Sequence, residues 1–177
     1  MKRICIHWTA GNLRANADDI AHYHRLVEGD GAVMLGPKKP EVNIPKNGQY
    51  LTNEPYVAHC GGGNSWAIGW ALCGMRGFQN AKKPGDQLLT SIQFEAACHG
   101  IAMDCLKYGI PVTPEAVYTH YEFGKVNPNT KSRGKIDIIW LPFYPHLKAD
   151  QVGDFSRSKI RWYLQQAEKK RDAKSGQ

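Results

Sequence analysis

The fold is decided by the stretch Ile4-Cys5-Ile6-His7-Trp8-Thr9-Ala10-Gly11. Its apolar opening predicts a buried strand, and the polar turn from Thr9 onward predicts where this strand ends. His7 closes the apolar run. We therefore expect its imidazole at the mouth of a buried strand, where a histidine can face a cleft.

Further elements can be placed by working outward from this strand. Residues 17–21 predict a short helix, and Gly29-Asp30-Gly31 predicts a hairpin turn. Residues 36–56 contain four prolines and lack a sustained period, which predicts a long surface loop that walls a cleft. Residues 65–74 are apolar and bounded by glycine, which predicts a central strand beside the first one.

Two helices complete a predicted α/β fold. From about Leu88 to Tyr108, apolar residues recur on one face, and Gly109 provides a stop. From about Ser156 to Lys170, a second apolar face predicts a helix on the flank of the sheet. No internal repeat is present, so we expect one domain over residues 1–177, with a flexible basic tail over residues 171–177.

Composition fits a single globular domain without a membrane span. The chain has 177 residues, of which 42% are hydrophobic, and it contains no apolar run long enough to cross a bilayer. No export signal is visible at the N-terminus. The five cysteines form no CxxC pair, which is typical of free thiols in a reducing cytosol. A net charge of +7 favours contact with a polyanion, without choosing among nucleic acid, a membrane surface and an anionic cell wall.

Three widely separated residues are candidates for a metal site: His7, His120 and Asp137. His120 lies in residues 116–123, where aromatic and β-branched residues predict a second strand after the helix-start signal Thr113-Pro114-Glu115. Asp137 follows a basic, turn-rich stretch and would close the site from a loop. Two imidazoles and one carboxylate suit a catalytic zinc ion that keeps its fourth position for water. Sequence spacing alone does not bring them together, and each residue by itself would be an ordinary structural residue.

The chain resembles a family, the zinc-dependent N-acetylmuramoyl-L-alanine amidases of the phage-lysozyme and peptidoglycan-recognition-protein type. The resemblance covers roughly residues 2–140 and rests on motifs that occur in the right order. These motifs are Ile6-His7-Trp8-Thr9-Ala10-Gly11, then Tyr23-His24-Arg25-Leu26-Val27 with Gly29-Asp30-Gly31, then His59 through Asn64 with Ile68-Gly69, and finally His120-Tyr121-Glu122 with Lys135-Ile136-Asp137.

The resemblance implies a domain with a single central mixed β-sheet flanked by helices, and it implies Zn²⁺ as the cofactor. It further implies that His7, His120 and Asp137 are the zinc ligands, while Tyr23 and Lys135 are polar groups beside the bound water. Zinc activates water and polarises a carbonyl group. The Lys135 ammonium would stabilise negative charge on the carbonyl oxygen. Such a set of groups suits amide hydrolysis.

The cleft around the site has further predicted members. His59 and Asn64 are expected to bind substrate, as the resemblance implies for this part of the chain, and packing is the alternative role for His59. If the strand that carries Tyr23 were shifted by one residue, His22 or His24 would take its place, because alternation decides which side chains face the site.

The donor of a proton to the leaving amine stays open at this point. Tyr23, Lys135 and water are candidates. Glu122 is a weaker candidate, and its alternative role is to orient His120 as a neighbouring carboxylate.

The expected function is hydrolysis of the amide bond between the lactyl group of N-acetylmuramic acid and L-alanine in peptidoglycan. We expect a phage or prophage endolysin, made in the cytoplasm of the bacterial host without a signal peptide and then released to the cell wall. We also expect a monomer that binds peptidoglycan, does not bind nucleic acid and does not insert into a membrane. A cytosolic muropeptide-recycling amidase and a non-catalytic peptidoglycan-binding module are the alternatives.

Other classes are disfavoured by the motifs that the chain lacks. A zinc deaminase would need Pro-Cys-x-x-Cys after its His-x-Glu, and a zincin would need His-Glu-x-x-His, and neither occurs. Nucleic-acid binding is supported by charge alone, because the chain has no recognisable basic and aromatic motif.

Overall fold

The computed structural model describes residues 1–46, 51 and 55–175. Its strands form one sheet in the order β3-β2-β4-β1-β5, and they are β1 (Arg3–Trp8), β2 (Arg25–Val27), β3 (Val33–Leu35), β4 (Ala67–Leu72) and β5 (Val117–Thr119). β1 runs parallel to β4 and β5, and β2 runs parallel to β4. β3 is antiparallel to β2. The predicted mixed sheet is confirmed, with β1 and β4 adjacent at its centre.

Alternation along β1 gives the sheet two different faces. Ile4 and Ile6 belong to the main apolar cluster, whereas Cys5 belongs to a separate, smaller cluster. His7 lies two residues after Cys5 and therefore points to the same side. We call the side that carries Ile4 and Ile6 the helix-covered face, and the side that carries Cys5 and His7 the loop-covered face.

The helices are α1 (Ala17–His22), α2 (Ser91–Tyr108), α3 (His120–Val126) and α4 (Ala149–Ser175). α2 begins at a capping box, in which Thr90 and Gln93 each accept from the other's backbone N–H. It ends at Gly109, which adopts a left-handed conformation. α2 contacts β2 and β4, α4 contacts β5, and the two helices pack against each other, so together they cover the apolar cluster on this face.

Residues 116–123 depart from the prediction of a single strand. β5 spans only Val117–Thr119, and α3 begins directly after it at His120. Thr119 and Glu122 form a capping box, which satisfies free N–H groups at the start of α3 and outweighs the strand preference of the aromatic residues. The predicted helix start at residues 113–115 is wrong, because this segment forms a turn that leads into β5.

The remaining elements agree with the sequence in part. The hairpin turn at residues 29–31 is confirmed by the pairing of β2 with β3. In the predicted loop of residues 36–56, Pro40–Asn43 forms a short 3₁₀ helix, and residues 47–50 and 52–54 lie outside the described residues. The last helix is longer than predicted and includes residues 171–175. All five cysteines are free and buried. Within the described ranges, no helix has the length and apolarity needed to cross a membrane.

Candidate metal centre

Three side chains that are far apart in sequence come together at the carboxyl-terminal end of β1. Ligand atoms of His7, His120 and Asp137 all lie within 4.8 Å of one another. Oδ2 of Asp137 lies 3.0 Å from Nδ1 of His7 and 3.0 Å from Nδ1 of His120. Two nitrogens and one carboxylate oxygen therefore converge, as the ligands of a single cation would.

His7 is positioned by the alternation of β1. Its neighbours Ile6 and Trp8 are buried in the main apolar cluster, which turns His7 to the loop-covered face. Nε2 of His7 lies 3.2 Å from Nδ1 of His59. Burial lowers the pKa of His7, and its hydrogen bond with Asp137 offsets this effect only in part. The imidazole is therefore neutral near neutral pH and has a lone pair to offer a cation.

His120 is positioned by the start of α3 and by Ser132. Nε2 of His120 lies 2.8 Å from the Ser132 hydroxyl, which donates to the carbonyl oxygen of Gly61 at 2.9 Å. Since the hydroxyl proton is used on Gly61, this hydroxyl accepts from the Nε2–H group of His120. Nδ1 then carries the lone pair when the ring is neutral. The contact selects the tautomer that a metal ligand needs.

The charges of the site depend on Asp137. Burial raises the pKa of Asp137, but its hydrogen bonds with His120 and His7 outweigh burial and hold the pKa below its usual range. Burial lowers the pKa of His120, but hydrogen bonds with Asp137 and Cys60 outweigh that effect and raise the pKa to about 9. Without a cation, a carboxylate and an imidazolium thus share the site. A cation that binds there must displace the proton of His120.

The loop that carries Asp137 is held by an unusual backbone conformation at the next residue. Ile138 has φ 62°, a left-handed conformation that β-branched residues rarely adopt. Such a conformation costs on the order of 1–3 kcal/mol, and Ile138 is buried in the main apolar cluster. Burial of Ile138 therefore fixes the direction in which the loop presents Asp137. The Asp137 side chain is 15% exposed, which leaves one side of the site open to the surface.

His59 lies in segment 55–64 and contacts His7 as well as the cleft. The backbone N–H groups of His59 and Cys60 donate to Oδ1 of Asn64 at 3.0 and 2.7 Å, which folds this segment into a tight turn. Gly69 of β4 leaves room for the ring, because a Cβ atom there would lie 2.6 Å from Cγ of His59. Asn64 therefore shapes the cleft wall, and its contact with substrate stays a prediction.

Two clefts meet at the site. The larger has a volume of about 660 Å³, and its lining includes His59, Asn64, His120 and Lys135. The smaller has a volume of about 240 Å³ and passes Asp137 and Lys135. Lys135 is exposed and borders both clefts, so its ammonium group stands at the rim of the candidate metal centre.

Tyr23 lies at the end of α1 and not inside a strand. Its ring centroid is 5.2 Å from that of His7. Burial raises the pKa of the Tyr23 hydroxyl, which therefore stays protonated and can donate a hydrogen bond. His22 is exposed and donates to the α1 backbone at 2.7 Å, whereas His24 is buried and accepts from the backbone N–H of Gly69. Of these three residues, Tyr23 is the one whose ring contacts His7.

Glu122 has a role that differs from both predicted roles. Its carboxylate accepts from the backbone N–H of Thr119 at 2.8 Å and forms an ion pair with Arg157 at 2.8 Å. The ring nitrogens of His120 contact other side chains. Glu122 therefore fixes the start of α3 and acts on His120 only through the backbone.

Two neighbours of the site, Ser132 and Cys60, were not predicted from the sequence. Ser132 is fully buried, although it lies in a basic stretch that is typical of an exposed loop. The Cys60 sulfur lies 3.7 Å from the Ser132 hydroxyl. Nothing in the local sequence distinguishes either residue, because both contacts arise from folding across more than 70 residues of chain.

Comparison with known proteins identifies the class of this enzyme. The family model for N-acetylmuramoyl-L-alanine amidase matches residues 1–135, so the chain belongs to that family. The match contains His7 and His120 and ends two residues before Asp137, whose assignment rests on resemblance and geometry. The chain is accordingly an enzyme that hydrolyses the amide bond between N-acetylmuramic acid and L-alanine in peptidoglycan.

Among solved structures, the chain is similar to the Ph2119 endolysin from Thermus scotoductus MAT2119 bacteriophage Ph2119. The TM-score is 0.41 with 19% sequence identity, and the alignment covers 75% of this chain and 84% of that chain. The comparison with curated proteins finds no match.

Proposed function

We propose that this amidase depends on zinc and that His7, His120 and Asp137 hold the ion. The observation that supports this assignment is the position of Asp137 Oδ2, 3.0 Å from Nδ1 of each imidazole. A tetrahedral zinc ion with bonds of about 2.0–2.2 Å separates its ligand atoms by roughly 3.3 Å. The donor set and its spacing therefore fit zinc after small side-chain adjustments, and the exposed side of Asp137 leaves room for a fourth ligand.

Zinc bound there would supply an activated water and a Lewis acid. Around it, His59 and Ser132 hold the two imidazoles in the required tautomers through their Nε2 atoms. Lys135 at the cleft rim stabilises negative charge that develops on the carbonyl oxygen of the substrate. Tyr23 stays protonated, so it donates a hydrogen bond and does not act as a base.

We further propose that the enzyme is a phage or prophage endolysin that acts on polymeric peptidoglycan, after synthesis in the cytoplasm of its bacterial host. The larger cleft lies at the surface and has a volume of about 660 Å³, within the usual size of ligand sites. Lys131 and Lys135 are exposed on its lining, and the chain carries a net charge of +7. An open basic cleft suits an anionic polymer that extends beyond the site.

The zinc assignment is tested with Asp137→Ala and with Asp172→Ala, which removes an exposed carboxylate of α4, as the matched control. We expect zinc binding by Asp137→Ala to weaken by more than about 100-fold, since loss of groups that merely orient ligands already costs 10- to 100-fold. Mass spectrometry of muropeptides should show cleavage between N-acetylmuramic acid and L-alanine by the zinc-loaded protein and its Asp172→Ala variant. Full cleavage by Asp137→Ala, or by chelated wild type, would exclude the assignment.

The biological role is tested by substrate size. An endolysin should release peptide from intact sacculi at least as fast as from soluble anhydromuropeptides, at equal concentrations of the scissile bond. A strong preference for the soluble fragments would instead indicate muropeptide recycling. Cleavage of neither substrate by zinc-replete protein would indicate a binding module.

A further inference from the structure

A second group of metal-ligating atoms lies directly beside the first. Ligand atoms of Cys5, His7 and His59 all lie within 4.8 Å of one another. Cys5 and His7 are two residues apart in β1, so they share the loop-covered face, and His59 reaches them from segment 55–64. This group is separate from the proposed zinc ligands except that it shares His7.

The geometry of this group resembles that of a metal site. Nε2 of His7 lies 3.2 Å from Nδ1 of His59, close to the roughly 3.3 Å between ligand atoms of a tetrahedral zinc ion. Cys5 and His7 are 0% exposed and His59 is 7% exposed, so the three donors are withdrawn from competing water. Gly69 leaves the space that the His59 ring occupies.

We propose that Cys5, His7 and His59 form a second metal site, specific for a soft divalent cation such as Zn²⁺ or Cd²⁺. Sulfur and imidazole donors together select such cations over Mg²⁺ and Ca²⁺, which take oxygen ligands. His7 uses Nδ1 for the first site and Nε2 for the second. The proposal concerns binding alone and does not depend on catalysis at the first site.

Occupation of the second site has a defined proton balance. The Cys5 thiol gives up its proton to solvent and binds as the thiolate. If both sites were filled, the His7 ring would hold a cation at each nitrogen, and its remaining ring proton would also be released to solvent. A second dication close to the first is repelled by it. We therefore expect the second site to fill after the first and with lower affinity.

One ligand of the second site borders the larger cleft. His59 and Cys60 line this cleft, whereas Cys5 is fully buried. Cys60 packs against Cys5 in the same small cluster. It is not a member of the second group of ligand atoms, which makes it a useful neighbour for comparison.

The test is a titration of the metal-free full-length protein with Cd²⁺, followed by equilibrium dialysis and by the ultraviolet thiolate-to-metal charge-transfer band. The wild type should bind two equivalents, and the band should grow with the second. Cys5→Ala should bind one equivalent without the band. Cys98→Ala and Cys105→Ala each remove another buried thiol that lies in the main apolar cluster, and both variants should behave as wild type. Circular dichroism checks that each variant is folded.

The result that would overturn the proposal is the absence of a charge-transfer band in the wild type, or a band that survives in Cys5→Ala. A band lost only in Cys60→Ala would overturn it as well. His59→Ala supplies a second test if Cys5→Ala does not fold, since it should weaken the thiolate event at least about tenfold. Asp137→Ala should lose the first event and keep the band, so failure of the first site can be distinguished from failure of the second.

Discussion

The two faces of the central sheet are carried by the same strands but are stabilised in different ways. On the helix-covered face, Ile4 and Ile6 of β1 and Ile68 and Trp70 of β4 pack with α2 in one large apolar cluster. This stabilisation is nondirectional, and each fully buried aliphatic side chain contributes about 1.5–3 kcal/mol. Any well-filled apolar set of similar shape would satisfy this face.

On the loop-covered face, the alternate positions of the same strands carry Cys5, His7 and Gly69. Polar groups dominate here and depend on directed contacts: His7 with His59 at 3.2 Å, and His24 with the backbone N–H of Gly69 at 2.9 Å. A buried imidazole without its partner costs free energy. This face therefore accepts few substitutions that keep both its geometry and its protonation states.

The difference indicates that the two faces have separate roles: the helix-covered face stabilises the fold, and the loop-covered face forms the candidate metal centre. Burial in the main apolar cluster of the helix-covered face provides most of the free energy of unfolding. This stability offsets the cost of the neutral imidazoles of His7 and His24 and of the largely buried Asp137 carboxylate on the other side. Substitutions on the helix-covered face should then lower stability and spare zinc binding. Substitutions on the loop-covered face should do the reverse, or should change how stability depends on pH.

The largest expected effect is that of Ile68→Ala on the helix-covered face. Ile68 is 0% exposed, and truncation of a buried isoleucine to alanine costs about 2–5 kcal/mol through lost burial and a cavity. The free energy of unfolding of the metal-free protein, measured with urea, should fall by that amount. The zinc dissociation constant, measured by competition with a chelating dye where the variant is folded, should stay within about twofold of wild type.

Ile68→Val is the matched control, because it removes one methyl group and should cost only about 0.5–1.5 kcal/mol. If zinc binding weakened in both variants in proportion to their loss of stability, the two faces would be energetically coupled. That result would contradict the separate roles of the two faces.

A somewhat smaller effect is expected from protonation of His24 on the loop-covered face. Burial lowers the pKa of His24 to about 4, whereas a histidine in an unfolded chain has a pKa of about 6.5. Between these values the unfolded state binds more protons, so the stabilisation is fully present above about pH 6.5 and is lost as the pH falls towards 4. His24 should cost the folded protein about 2–3 kcal/mol between pH 7 and about pH 4.5.

His24→Asn isolates this effect, because its side-chain oxygen can accept from the Gly69 N–H group and does not titrate. Urea unfolding at both pH values should show wild type losing about 2–3 kcal/mol more than the variant. Parallel loss in the two proteins would mean that His24 is not held neutral by burial.

The same contrast explains which parts could be predicted from sequence. The strand that carries His7 and the helix that ends before Gly109 follow from local apolar patterns, because the helix-covered face needs only apolar residues at the right period. The candidate ligands His7, His120 and Asp137 followed from residue chemistry and a family resemblance. Their convergence depends on the tertiary structure and cannot be predicted from their spacing in the sequence.

Errors concentrated where distant contacts override local preference. Residues 116–123 have strand-forming side chains, yet α3 begins at His120 because Thr119 and Glu122 cap it and Arg157 pairs with Glu122 from a helix 35 residues away. The contact of His59 with His7 spans 52 residues and needs the absence of a side chain at Gly69. The Thr119-x-x-Glu122 capping box is a local signal for the start of α3, whereas no local pattern predicts the contact of Glu122 with Arg157 or that of His59 with His7.

The smallest expected effects come from a pair of glycines, one on each face. A Cβ atom at Gly100 of α2 would lie 2.2 Å from the Trp70 ring, and a Cβ atom at Gly69 would lie 2.6 Å from Cγ of His59. Gly100→Ala should therefore lower the free energy of unfolding by about 1–3 kcal/mol through overpacking, while zinc affinity is unchanged.

Gly69→Ala should push His59 away from Nε2 of His7 and weaken zinc binding about 10- to 100-fold, as loss of a group that orients a ligand does. Urea unfolding of the metal-free proteins and dye competition for zinc measure both quantities on both variants. If Gly100→Ala weakened zinc binding as much as Gly69→Ala, strain would pass between the two faces through the shared strands. Stability and zinc binding would then not be separate properties of the two faces.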